Sequence, residues 1–144
     1  MRRPDWESKA RAMVALAESW ASLSAPPGPR RGPRDAADRA FTSAAKGVKG
    51  VGDWTISEFF VSLERTDVLQ TNCYEVKTGL RHLLRNRSEA ETTVSKWVKS
   101  QNFPKETLTR VTLALRGLHR SIQADRGAAA GACEATWRQL EALR

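Results

Sequence analysis

The stretch Lys49-Gly50-Val51-Gly52-Asp53-Trp54-Thr55 has a composition suited to holding a phosphate group. Glycine permits positive φ angles and lets another chain approach the backbone closely. An apolar segment with helical periodicity follows, and a helix beginning there points unpaired N–H groups and the positive end of its dipole at the turn. Such groups bind a phosphate without any side chain. Val51, between the glycines, would anchor the turn in the core. A plain tight turn between two helices fits the same residues, so both interpretations stand.

Basic side chains near this turn and further along the chain could contact the same ligand. Lys46 and Lys49 border the glycines and are the first candidates for contacts to a nucleic-acid backbone. Lys77, Arg81 and Arg85 recur every four residues beside the apolar stripe of a predicted helix. We expect one or two of this row to contact phosphates, with Lys77 and Arg81 preferred. A solvated helix flank is the alternative for the row.

The positive charge is concentrated in one segment. The chain has 144 residues and a formal net charge of +8. Residues 76–120 contain 10 Lys/Arg against 3 Asp/Glu, whereas residues 1–75 contain 11 against 10 and residues 121–144 contain 3 against 3. Such an excess is typical of a surface that binds a polyanion, and an ordinary solvated basic face is the alternative.

The composition argues against several other classes of protein. No apolar run approaches the ~20 residues of a membrane span. Cys73 and Cys133 lack the paired spacing of a disulfide framework, a zinc site or an iron–sulfur site, which suits a reducing compartment. His82 and His119 have no ligand partners at metal spacing. We therefore expect no metal, no small-molecule cofactor and no membrane partner.

Helical periodicity runs along the whole chain and predicts an all-α bundle of about seven helices in a single domain, residues 1–144. Residues 24–35 contain four prolines and two glycines, which predicts a loop. Ser88 and Glu91 have the spacing of a capping box, and Pro104 suits the first position of the next helix. The predicted core positions are Met13, Leu16, Ala17, Trp20, Ile56, Phe59, Phe60, Leu63, Val76, Leu80, Leu83, Leu84, Ala90, Val94, Trp97, Val98, Leu108, Val111, Leu115, Leu118, Cys133, Trp137 and Leu140.

Residues 50–81, GVGDWTISEFFVSLERTDVLQTNCYEVKTGLR, resemble the core of the helix-hairpin-helix DNA glycosylases. They are most similar to the alkylation-repair branch, the 3-methyladenine DNA glycosylase II type. That branch typically reads G-[IV]-G-x-W-T, then an apolar helix, D-V-[FL], a catalytic aspartate and a helix with V-[RK]-x-G. The residues in register are Gly50, Val51, Gly52, Trp54, Thr55, Asp67, Val68, Val76, Lys77, Gly79 and Leu80. Looser similarity covers residues 8–100.

The resemblance implies a fold, a partner and a class of reaction. Residues 36–64 would form the helix-hairpin-helix, with Gly50, Val51 and Gly52 on the backbone of double-stranded DNA. Active relatives hydrolyse the N-glycosidic bond of an everted, alkylated purine, and Trp54 and Tyr74 are the candidates for a base pocket here. Trp54 occupies the position of the Schiff-base lysine of bifunctional relatives, so lyase activity is not expected. The four-cysteine cluster of the endonuclease III branch is also absent.

Two departures from the family pattern limit what the resemblance implies. Cys73 stands where the family has its catalytic aspartate. A thiol is mostly uncharged near neutral pH and supplies little of the field that stabilises a cationic sugar. Neither Asp67 nor Glu75 is placed to replace that carboxylate. Family domains also carry further helices before the one that resembles residues 8–22, and we expect these to be missing; a fragment, an incorrect gene model and a reduced paralogue are the alternatives.

The leading hypothesis is a DNA-binding, glycosylase-like protein of base-excision repair with little or no hydrolytic activity. We expect a monomer, nuclear in a eukaryote and otherwise cytoplasmic and nucleoid-associated. The alternative is a non-catalytic DNA-binding or scaffold module that uses the hairpin alone. A third interpretation, a basic helical bundle with a chance glycine turn, predicts no DNA binding at physiological salt.

Overall fold

The computed structural model describes residues 6–22 and 36–144, and these are all-helical. Seven α-helices and two short 3₁₀ turns, without a strand, account for the regular structure of the described residues. The residues fall into two compact units that meet in sequence between Arg65 and Thr66. The helices are α1 (Trp6–Ser22), α2 (Ala36–Lys46), α3 (Asp53–Ser62), α4 (Tyr74–Asn86), α5 (Val94–Gln101), α6 (Leu108–Ala124) and α7 (Ala129–Glu141). The 3₁₀ turns are Lys105–Thr107 and Arg126–Ala128.

The first unit consists of α1, α2 and α3 around a small aromatic core. Leu16 of α1 and Phe41 of α2 are fully buried, and Ile56 and Phe59 of α3 close the cluster. Phe41 stacks on Phe59 with ring centroids 5.0 Å apart, a favourable geometry for an aromatic pair. The apolar stripes of the three helices therefore meet one another, as their periodicity predicts.

The second unit consists of α4 to α7, with α4 and α6 at its centre. Leu80, Leu83, Val111 and Leu115 are almost completely buried between these two helices. Gly79 lies against α6 so closely that a Cβ built on it would stand 2.0 Å from the carbonyl oxygen of Leu115. A glycine is therefore required at this position for the two helix backbones to approach as they do.

The sequence-based prediction of an all-α fold with about seven helices is confirmed for the described residues. All predicted core positions of α4 and α7 are buried, whereas Ala17 of α1 and Ala90 are exposed. The predicted loop at residues 24–35 lies outside the described residues. The single domain over residues 1–144 stays a prediction.

The predicted start of α5 is wrong. Arg87 ends α4, and Ser88 has a φ of 54°, so neither Ser88 nor Glu91 begins a helix. The helix begins at Val94, and its N-cap is Thr93, five residues after Ser88; the Thr93 hydroxyl accepts a hydrogen bond from the Lys96 N–H. Ser-x-x-Glu is a local pattern, and here the end of α4 overrides it. Pro104 similarly precedes a 3₁₀ turn rather than the first turn of α6.

The sequence predicts neither a membrane span nor a metal site. Among the helices described, none combines the length and the hydropathy of a membrane span. No cluster of three or more histidine, cysteine or acidic side chains with metal-binding geometry occurs within residues 6–22 and 36–144. His82 and His119 instead stack on each other, with ring centroids 6.3 Å apart.

Gly79→Ala should destabilise the protein strongly. The added methyl group would overlap backbone atoms of Leu115, which cannot move without shifting α6, and overpacking of this kind costs about 2–3 kcal/mol. The measurement is urea unfolding followed by circular dichroism. Gly117→Ala on α6 is the matched control, because its Cβ would meet no atom and the helix should gain up to about 1 kcal/mol. Equal unfolding free energies of the two variants would contradict the close approach of α4 and α6 at Gly79.

The stability of the fold should fall as the pH drops below about 6.5, the ordinary pKa of a histidine. Burial, and then the positive neighbours His119, Arg85, Arg81 and Arg126, lower the pKa of His82 in the folded state. The unfolded chain therefore takes up this proton first, which favours unfolding in acid. His82→Gln should reduce the loss of unfolding free energy between about pH 6.5 and 5. An unchanged pH profile in that variant would refute the assignment.

Candidate nucleic-acid interface

The glycine turn joins α2 to α3 in the first unit. Residues 47–52 follow the last residue of α2, Lys46, and the backbone of Val51 donates to the carbonyl of Val48 at 3.2 Å. Gly52 is the N-cap of α3, and no side chain accepts a hydrogen bond at this cap. Val51 packs against the aromatic core of the unit, as predicted from its place between the glycines. Two helices and a core-anchored turn are thus present in this part of the chain.

The two glycines of the turn are used differently by the fold. Gly50 has a φ of 84°, in the left-handed region that residues with a Cβ adopt only at a cost. Gly52 has a φ of −116° and a ψ of −175°, extended backbone that any residue adopts. A Cβ on Gly52 would meet no described atom within 4 Å. The backbone conformation therefore explains Gly50, whereas none of the residues in 6–22 and 36–144 requires a glycine at position 52.

Two lysines lie beside the turn, and both are exposed. The ammonium group of Lys46 is 3.8 Å from a carboxylate oxygen of Asp53, the first residue of α3. This pair spans the turn in solvent and contributes little to stability. Lys49 makes no ion pair with any residue that the structure describes. Its charge is therefore available to an anion at the turn.

A buried ion pair between Asp38 and Arg65, which no sequence pattern predicted, connects α2 to the segment after α3. The guanidinium of Arg65 donates two hydrogen bonds to the carboxylate of Asp38, at 2.8 and 2.9 Å. Both residues are buried, and Arg65 also lies over the ring of Phe60, 5.1 Å from its centroid. A bidentate pair of this geometry restricts the orientation of both groups. It therefore holds α2 and the segment after α3 together on either side of the turn.

An open groove of about 930 Å³ lies between α1 and the glycine turn. Its lining is mainly apolar, and Trp54, with 42% of its surface exposed, contributes an aromatic ring. The lining residues are Ser8, Arg11, Ala12, Met13, Ala15, Val48, Lys49, Gly50, Trp54, Thr55 and Glu58. The predicted base-pocket residue Trp54 and the predicted backbone contacts Lys49 and Gly50 therefore line one concavity. Sequence reasoning did not identify the contribution of α1 to it.

In the second unit, polar side chains of α6 hold the segment that leads to Cys73. The Thr109 and Thr112 hydroxyls accept from the backbone N–H groups of Val68 and Gln70, at 2.9 and 3.3 Å. The Thr112 hydroxyl donates in turn to the Val68 carbonyl. Arg116 donates to the side-chain carbonyl of Gln70 at 3.3 Å. Threonines three residues apart beside an apolar stripe were the available sequence signal for this ladder.

Cys73 is the N-cap of α4, but its side chain faces the protein interior. Only 5% of its surface is exposed, and it belongs to the apolar cluster of the second unit. Its side chain makes no capping hydrogen bond. Here the fold uses the residue as a small hydrophobic side chain. The thiol is therefore not presented to solvent at the position where the family resemblance expects a catalytic carboxylate.

The nearest carboxylate along the chain is engaged elsewhere. Glu75 accepts hydrogen bonds from Arg120 at 2.7 and 3.4 Å. Its hydrogen bond with Arg120 lowers the pKa of Glu75, against the opposing effect of burial. The carboxylate is therefore ionised but paired with a residue of α6, which agrees with the expectation that it does not replace an aspartate at position 73.

Tyr74, Lys77 and Arg81 extend along the exposed face of α4. Tyr74 is 69% exposed, and its ring meets that of His119 edge to face at 5.6 Å. Arg81 lies 3.7 Å from a carboxylate oxygen of Glu91, which Arg85 also contacts, at 3.2 Å. Lys77 has no ion-pair partner among the described residues. The candidates from the first unit, Lys46 to Trp54, and those from the second unit thus form two separate sets, one within each unit.

The chain was compared with three kinds of known protein. Neither models of protein families, nor curated proteins, nor solved structures gave a significant match to this chain. The functional assignment therefore depends on the residues and on their geometry.

Proposed function

We propose that this protein binds double-stranded DNA as a helix-hairpin-helix protein of the DNA glycosylase type, with little or no hydrolytic activity of its own. The turn at Gly50–Gly52 would contact the phosphate backbone, with Lys46 and Lys49 beside it. Lys77 and Arg81 would add contacts from the second unit. The protein would act as a monomer in base-excision repair, in the nucleus of a eukaryote or the nucleoid of a bacterium.

The observation that carries the proposal is the open position of Gly52. A glycine that the fold does not need, at the N-cap of α3, leaves room for another chain to come against the backbone N–H groups. Helix N-termini bind phosphates through such groups and through the helix dipole. The unpaired charge of Lys49 at the same turn supports an anionic partner, and the concentration of positive charge in residues 76–120 supports a polyanion.

The weak activity follows from the environment of Cys73. Glycosidic hydrolysis by relatives of this type requires a carboxylate that stabilises a developing cation, whereas a buried thiol in an apolar cluster supplies no such charge. Loss of a positioned electrostatic stabiliser costs on the order of a hundred-fold or more in rate. The groove beside Trp54 could still receive a base, since neither its volume nor its lining depends on Cys73.

The same observation favours a second candidate function. Because the thiol at position 73 is a core residue, the chain would also suit a role as a DNA-binding or scaffold module without chemistry of its own. The two candidates share the DNA interface and differ only in whether the groove accepts an everted base. They can therefore be separated after DNA binding has been established.

Gly52→Ala should weaken duplex binding without destabilising the protein. The methyl group would stand where the phosphate backbone approaches, and we expect the dissociation constant to rise about tenfold, which corresponds to about 1.4 kcal/mol. Fluorescence anisotropy with a labelled duplex at several salt concentrations measures the constant. Gly50→Ala, made in parallel and in combination, should weaken binding and also lower the unfolding free energy by about 1–2 kcal/mol because of its φ.

The matched control is Gly131→Ala, which adds the same methyl group at an exposed, open position of α7. It should leave the dissociation constant unchanged. If Gly52→Ala and the double variant bind duplex DNA with the dissociation constant of the wild type, the hairpin assignment is contradicted. A wild-type protein that does not bind duplex DNA at physiological salt would refute the proposal as a whole.

Excision of alkylated purines should be absent or very slow in the wild type and should increase in Cys73→Asp. Aspartate is a preferred N-cap residue, so its carboxylate can leave the apolar cluster and accept from the first turn of α4. Single-turnover assays on alkylated duplex DNA measure the rate. Cys73→Asn caps the helix equally well without charge and is the control. Rapid excision by the wild type would show that the argument about Cys73 is wrong, and no excision by Cys73→Asp would favour the non-catalytic module.

A further inference from the structure

A pocket of about 450 Å³ lies in the second unit, between α4, the segment before it and the start of α5. Its lining residues are Thr71, Asn72, Lys77, Leu80, Arg81, Leu84, Glu91, Thr92, Thr93, Val94 and Ser95. Residues 71–72 and 91–95 are about twenty apart in sequence, so no local motif marks the pocket. Its volume is within the range of about 300–1,000 Å³ that small-molecule sites occupy.

The polar lining of the pocket consists mainly of hydrogen-bond donors. The hydroxyls of Thr71, Thr92 and Ser95 and the amide of Asn72 make no hydrogen bond to any described residue. The Thr93 hydroxyl accepts from the Lys96 N–H, which leaves its own proton to donate. Hydroxyls and amides can also accept, but the cations beside them select for an acceptor-rich ligand.

The charge of the pocket favours an anion. Lys77 and Arg81 contribute two positive charges, and Glu91 contributes the single negative charge of the lining. Glu91 is shared between Arg81 and Arg85, at 3.7 and 3.2 Å, so two guanidinium groups offset one carboxylate. Lys77, without an ion-pair partner among the described residues, keeps its full charge toward the pocket. The first turn of α5 adds the positive end of a helix dipole.

We infer that this pocket binds a phosphate ester, with Lys77 and Arg81 on the phosphate and the threonine and serine hydroxyls donating to its oxygens. Leu80, Leu84 and Val94 belong to the core of the second unit and form the apolar floor of the pocket. The phosphate can belong to a free nucleotide or to a nucleic-acid backbone. For a nucleic-acid backbone the inference rests on the proposed function, which already assigns Lys77 and Arg81 to that backbone. For a free nucleotide it goes beyond the proposed function, because a chain that binds no DNA would satisfy it. Neither case involves the glycine turn.

The test is a titration of the ¹⁵N-labelled full chain followed by heteronuclear NMR. The probes are inorganic phosphate, adenosine 5′-monophosphate, adenosine and a short duplex. We expect phosphate and the nucleotide to shift the amide signals of residues 71–72 and 92–95, and adenosine to leave them unchanged. A duplex that shifts the same signals identifies the nucleic-acid backbone as a source, and shifts with the nucleotide alone identify a free ligand.

Three charge variants test whether the nucleotide binds in this pocket. Lys77→Gln should weaken nucleotide binding about fivefold. Lys99→Gln, at another exposed lysine, which lies on α5 outside the pocket, should not change it. Glu91→Gln should strengthen binding about threefold, because it removes the only carboxylate of the lining.

If the Lys77 and Lys99 variants weaken nucleotide binding equally, general surface charge explains the effect and the inference is overturned. Titrations with phosphate, nucleotide and duplex that leave residues 71–72 and 92–95 unshifted would also overturn it. Neither result bears on Gly52, so failure of this pocket and failure of the hairpin interface remain distinguishable.

Discussion

The contact of Gly79 with the backbone of Leu115 is the constraint on which the second unit depends. Because a side chain at position 79 would overlap α6, only glycine allows α4 and α6 to lie at this distance. The short distance brings Thr109 and Thr112 within hydrogen-bond reach of the extended segment before α4. That segment in turn places Cys73 at the N-terminus of α4 and Thr71 at the edge of the α4–α5 pocket. The absence of a side chain at position 79 thus allows the packing that positions the threonine hydrogen bonds, Cys73 and the pocket.

The helices could be predicted from sequence because helical periodicity is a local property. The predicted stripes of α4 and α7 consist of four and three residues, and all of these residues are buried. The start of α5 could not be predicted in the same way, since Ser88 is fixed by the end of α4 with a positive φ. The contacts that shape the candidate sites join distant residues: Asp38 with Arg65, and Val68 with Thr109. No pattern within a window of ten or fifteen residues contains either pair.

Gly50 and Gly52 are glycines for different reasons, which the structure distinguishes. Gly50 has a positive φ, so the backbone explains it completely. Gly52 has an ordinary conformation and open space around the missing Cβ, so its explanation, if one is needed, lies outside the described protein. In the sequence both positions look alike. The structure assigns the conformational requirement to one and leaves the other as the sharper probe of a partner.

The environment of Cys73 bears on the proposed hydrolytic activity and not on the proposed DNA binding. A catalytic carboxylate must be exposed to its substrate, and burying an ionised one in an apolar cluster carries a large desolvation cost. A thiol avoids that cost, because it packs as a small hydrophobic group beside Val76 and Leu80. The thiol therefore contributes core packing, and no charge, at the N-terminus of α4. None of this affects the glycine turn, Lys49 or the groove beside Trp54, which belong to the other unit. Electrostatic attraction of a polyanion requires only exposed positive charge, so the proposed DNA binding does not depend on a carboxylate at position 73.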